Sequence, residues 1–133
     1  MMSASFTRYV LPSVRFKDVR AAVTFYTETL GFELVRGGDD EANNSVKFGD
    51  ATMMLEGDGA FYSDEYNAAI RSRMGGKSPN AFYIEAEDLE GLYKTLNERK
   101  VTIVDPLAAR EWGQREFTCE DIEGNWLTFW HAP

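Results

Sequence analysis

Residues 18–32 read D-V-R-A-A-V-T-F-Y-T-E-T-L-G-F. Val19, Ala22, Val23, Tyr26 and Leu30 recur within them at helical spacing and form one apolar stripe. Asp18 precedes the stripe and suits the capping position, where a carboxylate accepts an unpaired backbone N–H. Gly31 follows it and tolerates the left-handed turn that ends helices. The stretch predicts a helix closed at both ends. Upstream, R-Y-V-L-P-S-V-R-F (8–16) alternates Val10, Pro12, Val14 and Phe16 with Leu11, Ser13 and Arg15, which predicts a strand. Pro12 favours an edge or a strand start because it brings no N–H to a ladder. Downstream, strands are expected around Phe32 to Arg36, Asn44 to Phe48 and Ala51 to Glu56, separated by G-G-D-D-E-A-N (37–43) and a Gly49-Asp50 turn.

The second half repeats this order. N-A-F-Y-I-E-A (80–86) alternates Phe82, Ile84 and Ala86 with Ala81, Tyr83 and Glu85. Glu87-Asp88 then opens a helix with Leu89, Leu92, Tyr93 and Leu96 on one stripe, and strands follow at Thr102 to Val104, Glu116 to Glu120 and Asn125 to Trp130. Matching Asp18 with Asp88 lays Leu11 on Ala81, and matching Asp50 with Gly124 lays Met54 on Thr128. Strand, helix and three strands, met twice, is an internal repeat. The expected fold is α+β: two tandem βαβββ modules forming a curved, cleft-enclosing mixed sheet with helices on the convex side. One domain spans 1–133, with module one at about 6–57, a linker helix within 58–79 (Ser63 to about Arg73) and module two at about 80–131.

Strand parity divides the two faces. Val14, Phe16, Phe82, Ile84, Leu127 and Phe129 suit the face under the helices. The other parity lines the concavity with Leu11, Ser13, Arg15, Thr52, Met54, Glu56, Ala81, Tyr83, Glu85, Trp126, Thr128 and Trp130.

At 133 residues the chain suits a single domain with a real core, and 44% hydrophobic with 27% charged residues is ordinary for a globular protein. No apolar run approaches a membrane span, and the N-terminal residues lack the apolar core of a signal peptide. Cys119 is the only cysteine, so no intrachain disulfide forms, and a cytoplasmic setting is expected. A net charge of −8 argues against nucleic acid, which needs a basic patch, and is otherwise the charge of a soluble surface.

L-P-S-V-R-F-K-D-V-R-A-A-V-T-F-Y-T-E-T-L-G-F-E-L-V, F-G-D-A-T-M-M-L-E-G, I-E-A-E-D-L-E-G-L-Y-K-T-L and E-W-G-Q-R-E-F-T-C-E-D-I-E-G-N-W-L-T-F together resemble the glyoxalase, bleomycin resistance protein and extradiol dioxygenase superfamily, also called vicinal oxygen chelate. The resemblance runs from about Tyr9 to Phe129 and is most specific from Asp18 to Phe32 and in the closing D-x-x-G-N turn. It implies paired βαβββ modules around a cleft and, commonly, a homodimer. Enzymes of that superfamily hold a divalent metal on His, Glu or Gln from four strand positions, which fall here on Leu11, Met54, Ala81 and Thr128. Those side chains do not make a hard or borderline metal site, so neither metal nor cofactor is expected. Metal-free bleomycin resistance proteins, which sequester a cationic drug in clefts at a dimer interface, are similar in length, acidity and the E-W-G at Glu111 to Gly113.

The expected function is metal-free binding of a small molecule, a cationic or aromatic compound such as a glycopeptide antibiotic. Trp126, Trp130, Tyr83 and Trp112 supply stacking walls, or else pack against a partner subunit or fill a closed cleft. Glu56 and Glu85 bind a ligand cation, or Arg15 takes up a carboxylate in an ion pair. Met54 and Thr128 line the cleft where relatives carry metal ligands. The alternatives are a metal-dependent glyoxalase-like lyase or isomerase or an extradiol dioxygenase, and a domain that mainly presents a dimer surface to another protein. No catalytic residue is assigned. Cys119 reads as buried and inert, His131 as exposed or loosely packed, and M-G-G-K-S (74–78) lacks the spacing of a phosphate loop. Gly37 to Asn43 and Glu120 to Glu123 read as solvated turns, the first of them a possible rim of the cleft. Phe61, Tyr62, Tyr66 and Ile70 suit a cover over the cleft or the subunit boundary.

Overall fold

A computed structural model describes residues 10–39, 41–59, 63–76 and 78–133. The chain forms two mixed four-stranded sheets, and neither closes into a barrel. Sheet A holds β1 (Ser13–Phe16), β2 (Glu33–Arg36), β3 (Asn44–Phe48) and β4 (Ala51–Gly57) in the order β1-β4-β3-β2. Sheet B holds β5 (Ala81–Glu85), β6 (Ile103–Ala109), β7 (Arg115–Glu120) and β8 (Trp126–His131) in the order β5-β8-β7-β6. In both, the first strand runs parallel to the fourth and the other pairings are antiparallel. The architecture is the expected tandem βαβββ plan.

Capping sets the helix starts. Asp18 Oδ1 accepts the Ala21 N–H ahead of α1 (Val19–Thr24), and Asp88 Oδ1 accepts the Gly91 N–H ahead of α3 (Leu89–Glu98), both at 3.1 Å. Ser63 Oγ does the same for the Tyr66 N–H before α2 (Asp64–Arg73). The helix begun by α1 continues as a π-helical turn over Phe25–Thr29. It ends before Gly31, whose φ of 87° lets the Phe32 N–H reach the Tyr26 carbonyl at 2.9 Å.

The stripes Val19-Ala22-Val23-Tyr26-Leu30 and Leu89-Leu96 are buried against the sheet faces that carry Phe16, Leu55, Leu127 and Phe129. The modules share this core within one chain, because Phe48 of module one meets Phe129 of module two at 5.3 Å between ring centroids. Polar contacts join the same halves. The Arg99 guanidinium donates to the carbonyls of Glu28 and Thr29 at 3.1 and 2.8 Å, and the Glu123 carboxylate accepts the Lys17 and Asp18 N–H groups at 2.9 and 3.1 Å.

Four expectations change. The turn from Glu120 to Glu123 is not simply solvated: Asp121 is buried, and its carboxylate accepts from the Tyr26 hydroxyl, the Glu123 and Asn125 N–H groups and the Asn125 amide. In the other acidic turn Ala42 is buried, and the buried Asn44 side chain that follows takes the Gly38 N–H and donates to the Leu55 carbonyl. The sixth strand runs on to Ala109 through Pro106. It is a sheet edge with register shifts between Ile103 and Asp105 and between Asp105 and Ala108, where a missing N–H is tolerated. The first strand begins only at Ser13, although the Pro12 carbonyl still accepts the Met54 N–H. Arg8, Tyr9, Phe61, Tyr62 and Lys77 lie outside the described residues.

Candidate functional site

Each sheet has a face away from the shared core, and the strand register fixes what stands on it. In sheet A, Ser13 lies opposite Met54 and Arg15 opposite Glu56. In sheet B, Ala81 lies opposite Trp126, Tyr83 opposite Thr128 and Glu85 opposite Trp130. Ser13-Met54 and Tyr83-Thr128 are thus equivalent pairs, which is the repeat register read from Asp18 and Asp88. The alternate residues Val14, Leu55, Leu127 and Phe129 are all core.

The segment ahead of β1, with β2 and β4 of sheet A and the edge strand β5 of sheet B, borders one groove of about 810 Å³. Leu11, Thr52, Val35 and Arg36 line it from module one, and Ala81 and Tyr83 from module two. Its walls are mainly apolar, with Arg36 and Asp50 as the charged lining residues among those described. Tyr83 is 59% exposed there. Of the residues expected to bind ligand, Tyr83 lines the groove directly. Trp126 and Thr128 stand one strand further in, beside Ala81 and Tyr83.

The remaining expected residues do not line the groove. In sheet A the Glu56 carboxylate is buried, accepts the Ser13 hydroxyl at 2.6 Å and stands 3.9 Å from Arg15 Nε. The Arg15 guanidinium lies 5.4 Å from the Tyr66 ring centroid on α2, so the ion pair and the aromatic occur together. Glu85 is more open and lies 4.0 Å from His131 Nδ1. Met54 is half-buried between Ser13 and Ser45.

In sheet B, Thr128 is buried and its hydroxyl meets that of Thr118 at 2.7 Å. Trp126 Nε1 donates to Glu120 at 3.1 Å, and Trp130 is half-buried opposite Glu116. Glu116 was not singled out from the sequence. It is 4% exposed, and its carboxylate accepts from Trp112 Nε1 at 3.3 Å and Gln114 Nε2 at 3.1 Å, with Arg110 Nε 4.0 Å away. The available signal was parity: Phe117 and Cys119 alternate with Glu116, Thr118 and Glu120, which places Glu116 on the face that carries the tryptophans.

Two buried groups have shifted acidities. Burial, and then the Asp121 carboxylate, push the Cys119 thiol from 9.0 up to about 12. The Tyr26 hydroxyl is held well above its ordinary 10.0 by burial and by Asp121, to which it donates. Neither presents a reactive anion.

The donor set does not fit the metal of the enzymatic relatives. The four positions that the resemblance implies carry Leu11, Met54, Ala81 and Thr128, and among the described residues no three His, Cys, Asp or Glu side chains gather to hold an ion. Nor is any helix among them long and apolar enough to cross a membrane.

Tandem βαβββ modules meeting at a groove define the class of protein. The family model for the Glyoxalase/Bleomycin resistance protein/Dioxygenase superfamily matches residues 8–129, and the chain belongs to that superfamily. No curated protein matches it. Among solved structures, TioX from Micromonospora sp. ML1 is similar at 19% identity and a TM-score of 0.74, over 96% of this chain and 100% of that one. UcmS2 is similar at 25% identity and 0.70, over 94% and 98%. A superfamily member from Sphaerobacter thermophilus DSM 20745 is similar at 27% identity and 0.66, over 92% and 97%. Superfamily membership fits a small-molecule-binding role.

Proposed function

We propose that this chain is a metal-free binding protein of the bleomycin-resistance type, which sequesters a cationic or aromatic compound in the cytoplasm as a homodimer. The observation that carries the reading is the groove of about 810 Å³, where Leu11 and Ala81 occupy positions that hold metal in enzymatic relatives. An apolar groove of that volume suits a drug-sized ligand. Tyr83 at its wall, with Trp126 beside Ala81 and Trp130 beyond Thr128, offers ring faces for stacking. No bond is made or broken: stacking supplies affinity, and Asp50, Glu85 and the acidic surface favour positive charge.

A dimer follows from the apolar surface on the open side. Leu11 and Val35 are exposed in the single chain, and a second copy seated against them would close the groove and leave the aromatic faces to the ligand. Isothermal titration calorimetry against cationic glycopeptides and flat aromatic cations tests the function. Absence of heat across the panel, or affinity unchanged in Trp126→Ala and Trp130→Ala, would defeat it. Light scattering after size exclusion tests the dimer, and a monomer mass at micromolar concentration would refute that part. A stoichiometric metal in the purified protein would favour the lyase or dioxygenase reading instead.

A further inference from the structure

We propose that Glu116 is a positioning residue, which holds the β6–β7 hairpin tip on sheet B so that Trp112 is presented as a stacking wall. The inference rests on the proposed ligand-binding role of the open face and adds to it a residue and a division of labour.

The hairpin tip Arg110–Gln114 is a short turn of its own. The Arg110 N–H donates to the Gln114 carbonyl at 2.8 Å, the Gly113 N–H donates to the Arg110 carbonyl at 3.0 Å, and Gly113 takes a φ of 93°. Such a tip at a sheet edge has little to hold it down by backbone alone. Here three of its side chains turn toward one carboxylate. Trp112 Nε1 and Gln114 Nε2 both donate to Glu116 Oε1, and Arg110 Nε lies 4.0 Å from Oε2 while its other end binds Asp105. Glu116 is one of the most buried carboxylates in the chain, although it stands on the face away from the core. These side chains supply its polar partners, and Trp130 stands opposite it. A carboxylate out of water requires such donors, so the tip and Glu116 stabilise one another.

Trp112 shows the consequence. It is 66% exposed, yet its only polar atom is tied inward to Glu116. An indole with its N–H satisfied and most of its surface open is a stacking platform with little rotamer freedom left to lose on binding. Glu116 stands opposite Trp130 in the β7–β8 register, so the held indole and Trp130 flank one carboxylate. That carboxylate already accepts two hydrogen bonds and faces the Arg110 guanidinium. Its part is to place Trp112, while cation selection falls to other acids.

The test separates placement from affinity. In a Trp126→Phe/Trp130→Phe background Trp112 is the sole tryptophan, and its fluorescence anisotropy reports how firmly the indole is held. Glu116→Thr suits the strand but does not reach the indole, whereas Glu116→Gln keeps an acceptor oxygen. The expected result is a marked fall in Trp112 anisotropy in Glu116→Thr, with a lower Tm but a single cooperative unfolding transition retained, and rescue in Glu116→Gln. In the protein with all three tryptophans, binding of 9-aminoacridine is expected to weaken about tenfold in Glu116→Thr, equivalent to about 1.4 kcal/mol, and less than about threefold in Glu116→Gln. Anisotropy unchanged in Glu116→Thr overturns the proposal. A fall as large in Glu116→Gln overturns the direct hydrogen-bond route. If the wild-type protein ignores 9-aminoacridine while Trp112 loosens as expected, the positioning role stands and the aromatic-cation reading of the face fails.

Discussion

The Tyr26 hydroxyl donates to the buried Asp121 carboxylate at 2.7 Å, across 95 positions of sequence. Tyr26 belongs to the helix of module one and Asp121 to the last turn of module two, so one hydrogen bond fastens the repeats together. The π-helical turn at Phe25–Thr29 lies at that point, and the same acidic turn sends Glu123 back to the N–H groups of Lys17 and Asp18. The D-x-x-G-N turn is therefore a latch between modules as well as a route into β8.

Tyr26→Phe keeps the ring and removes the donor. Asp121 retains its bonds from Glu123 and Asn125, so the expected loss is about 1–2 kcal/mol. Asp121→Ala strips the acceptor from the hydroxyl and from the turn together, and is expected to cost about 3 kcal/mol or more. Urea denaturation at neutral pH measures both. Equal losses would mean that the turn is held by something other than this carboxylate.

The same latch makes the protein sensitive to alkali. The Cys119 thiol is held neutral in the fold, up to about 12 against 9.0 ordinarily, so the unfolded chain gives up this proton first. Its contribution is complete below about pH 9 and is lost as pH rises toward 12, at a limiting slope of about 1.4 kcal/mol per pH unit. Tyr26 shifts in the same direction and adds to the loss above its ordinary 10.0. Urea midpoints taken from pH 8 to 11 should fall steadily, and Cys119→Ala should flatten the first part of that fall. A flat profile in the wild-type protein would contradict the assignment.

These contacts mark the boundary of what was legible in the sequence. Period-two alternation placed Trp126, Thr128 and Trp130 on one face, and N-cap chemistry located both helix starts, because each depends on neighbours within a few residues. Asn44 to Phe48 was read to its ends for the same reason. Asp121 looked solvated because its main partner lies in the other module. The pairing of Glu116 carries no local signal because its partners Trp112 and Gln114 reach it only once the hairpin folds back. The continuation of β6 through Pro106 depended on its being an edge, a fact of sheet order that no local pattern carries. The groove itself joins Leu11 and Val35 of one module to Ala81 and Tyr83 of the other, so its lining was visible only as separate parities.

Arg15 and Glu56 form a buried pair, and its two members respond differently to replacement. Arg15→Met removes a cation from beside the buried Glu56 carboxylate, which keeps the Ser13 hydroxyl, for an expected loss of about 3 kcal/mol. Replacing both, as Arg15→Met/Glu56→Leu, removes the charge as well and should recover most of that loss. Thermal and urea unfolding of the two singles and the double close the cycle. Additive losses would show that the pair is not coupled.

Tyr83 and Leu127 give the sharpest contrast between binding and folding, because they occupy adjacent strands with opposite parity. Tyr83 lies on the exposed edge strand at the groove wall, and Leu127 is buried beneath it in the core of sheet B. Tyr83→Ala is expected to weaken binding of an aromatic cation about tenfold, near the value of one stacked ring, while stability changes by less than about 1 kcal/mol. Leu127→Ala is expected to cost about 2–5 kcal/mol of stability and to leave the affinity of the molecules that remain folded nearly unchanged. Calorimetry and urea titration on both variants measure the two axes independently. If Tyr83→Ala instead lowers stability as much as Leu127→Ala, the ring is covered in the assembled protein and the groove wall is a subunit contact, which moves the ligand toward Trp126 and Trp130.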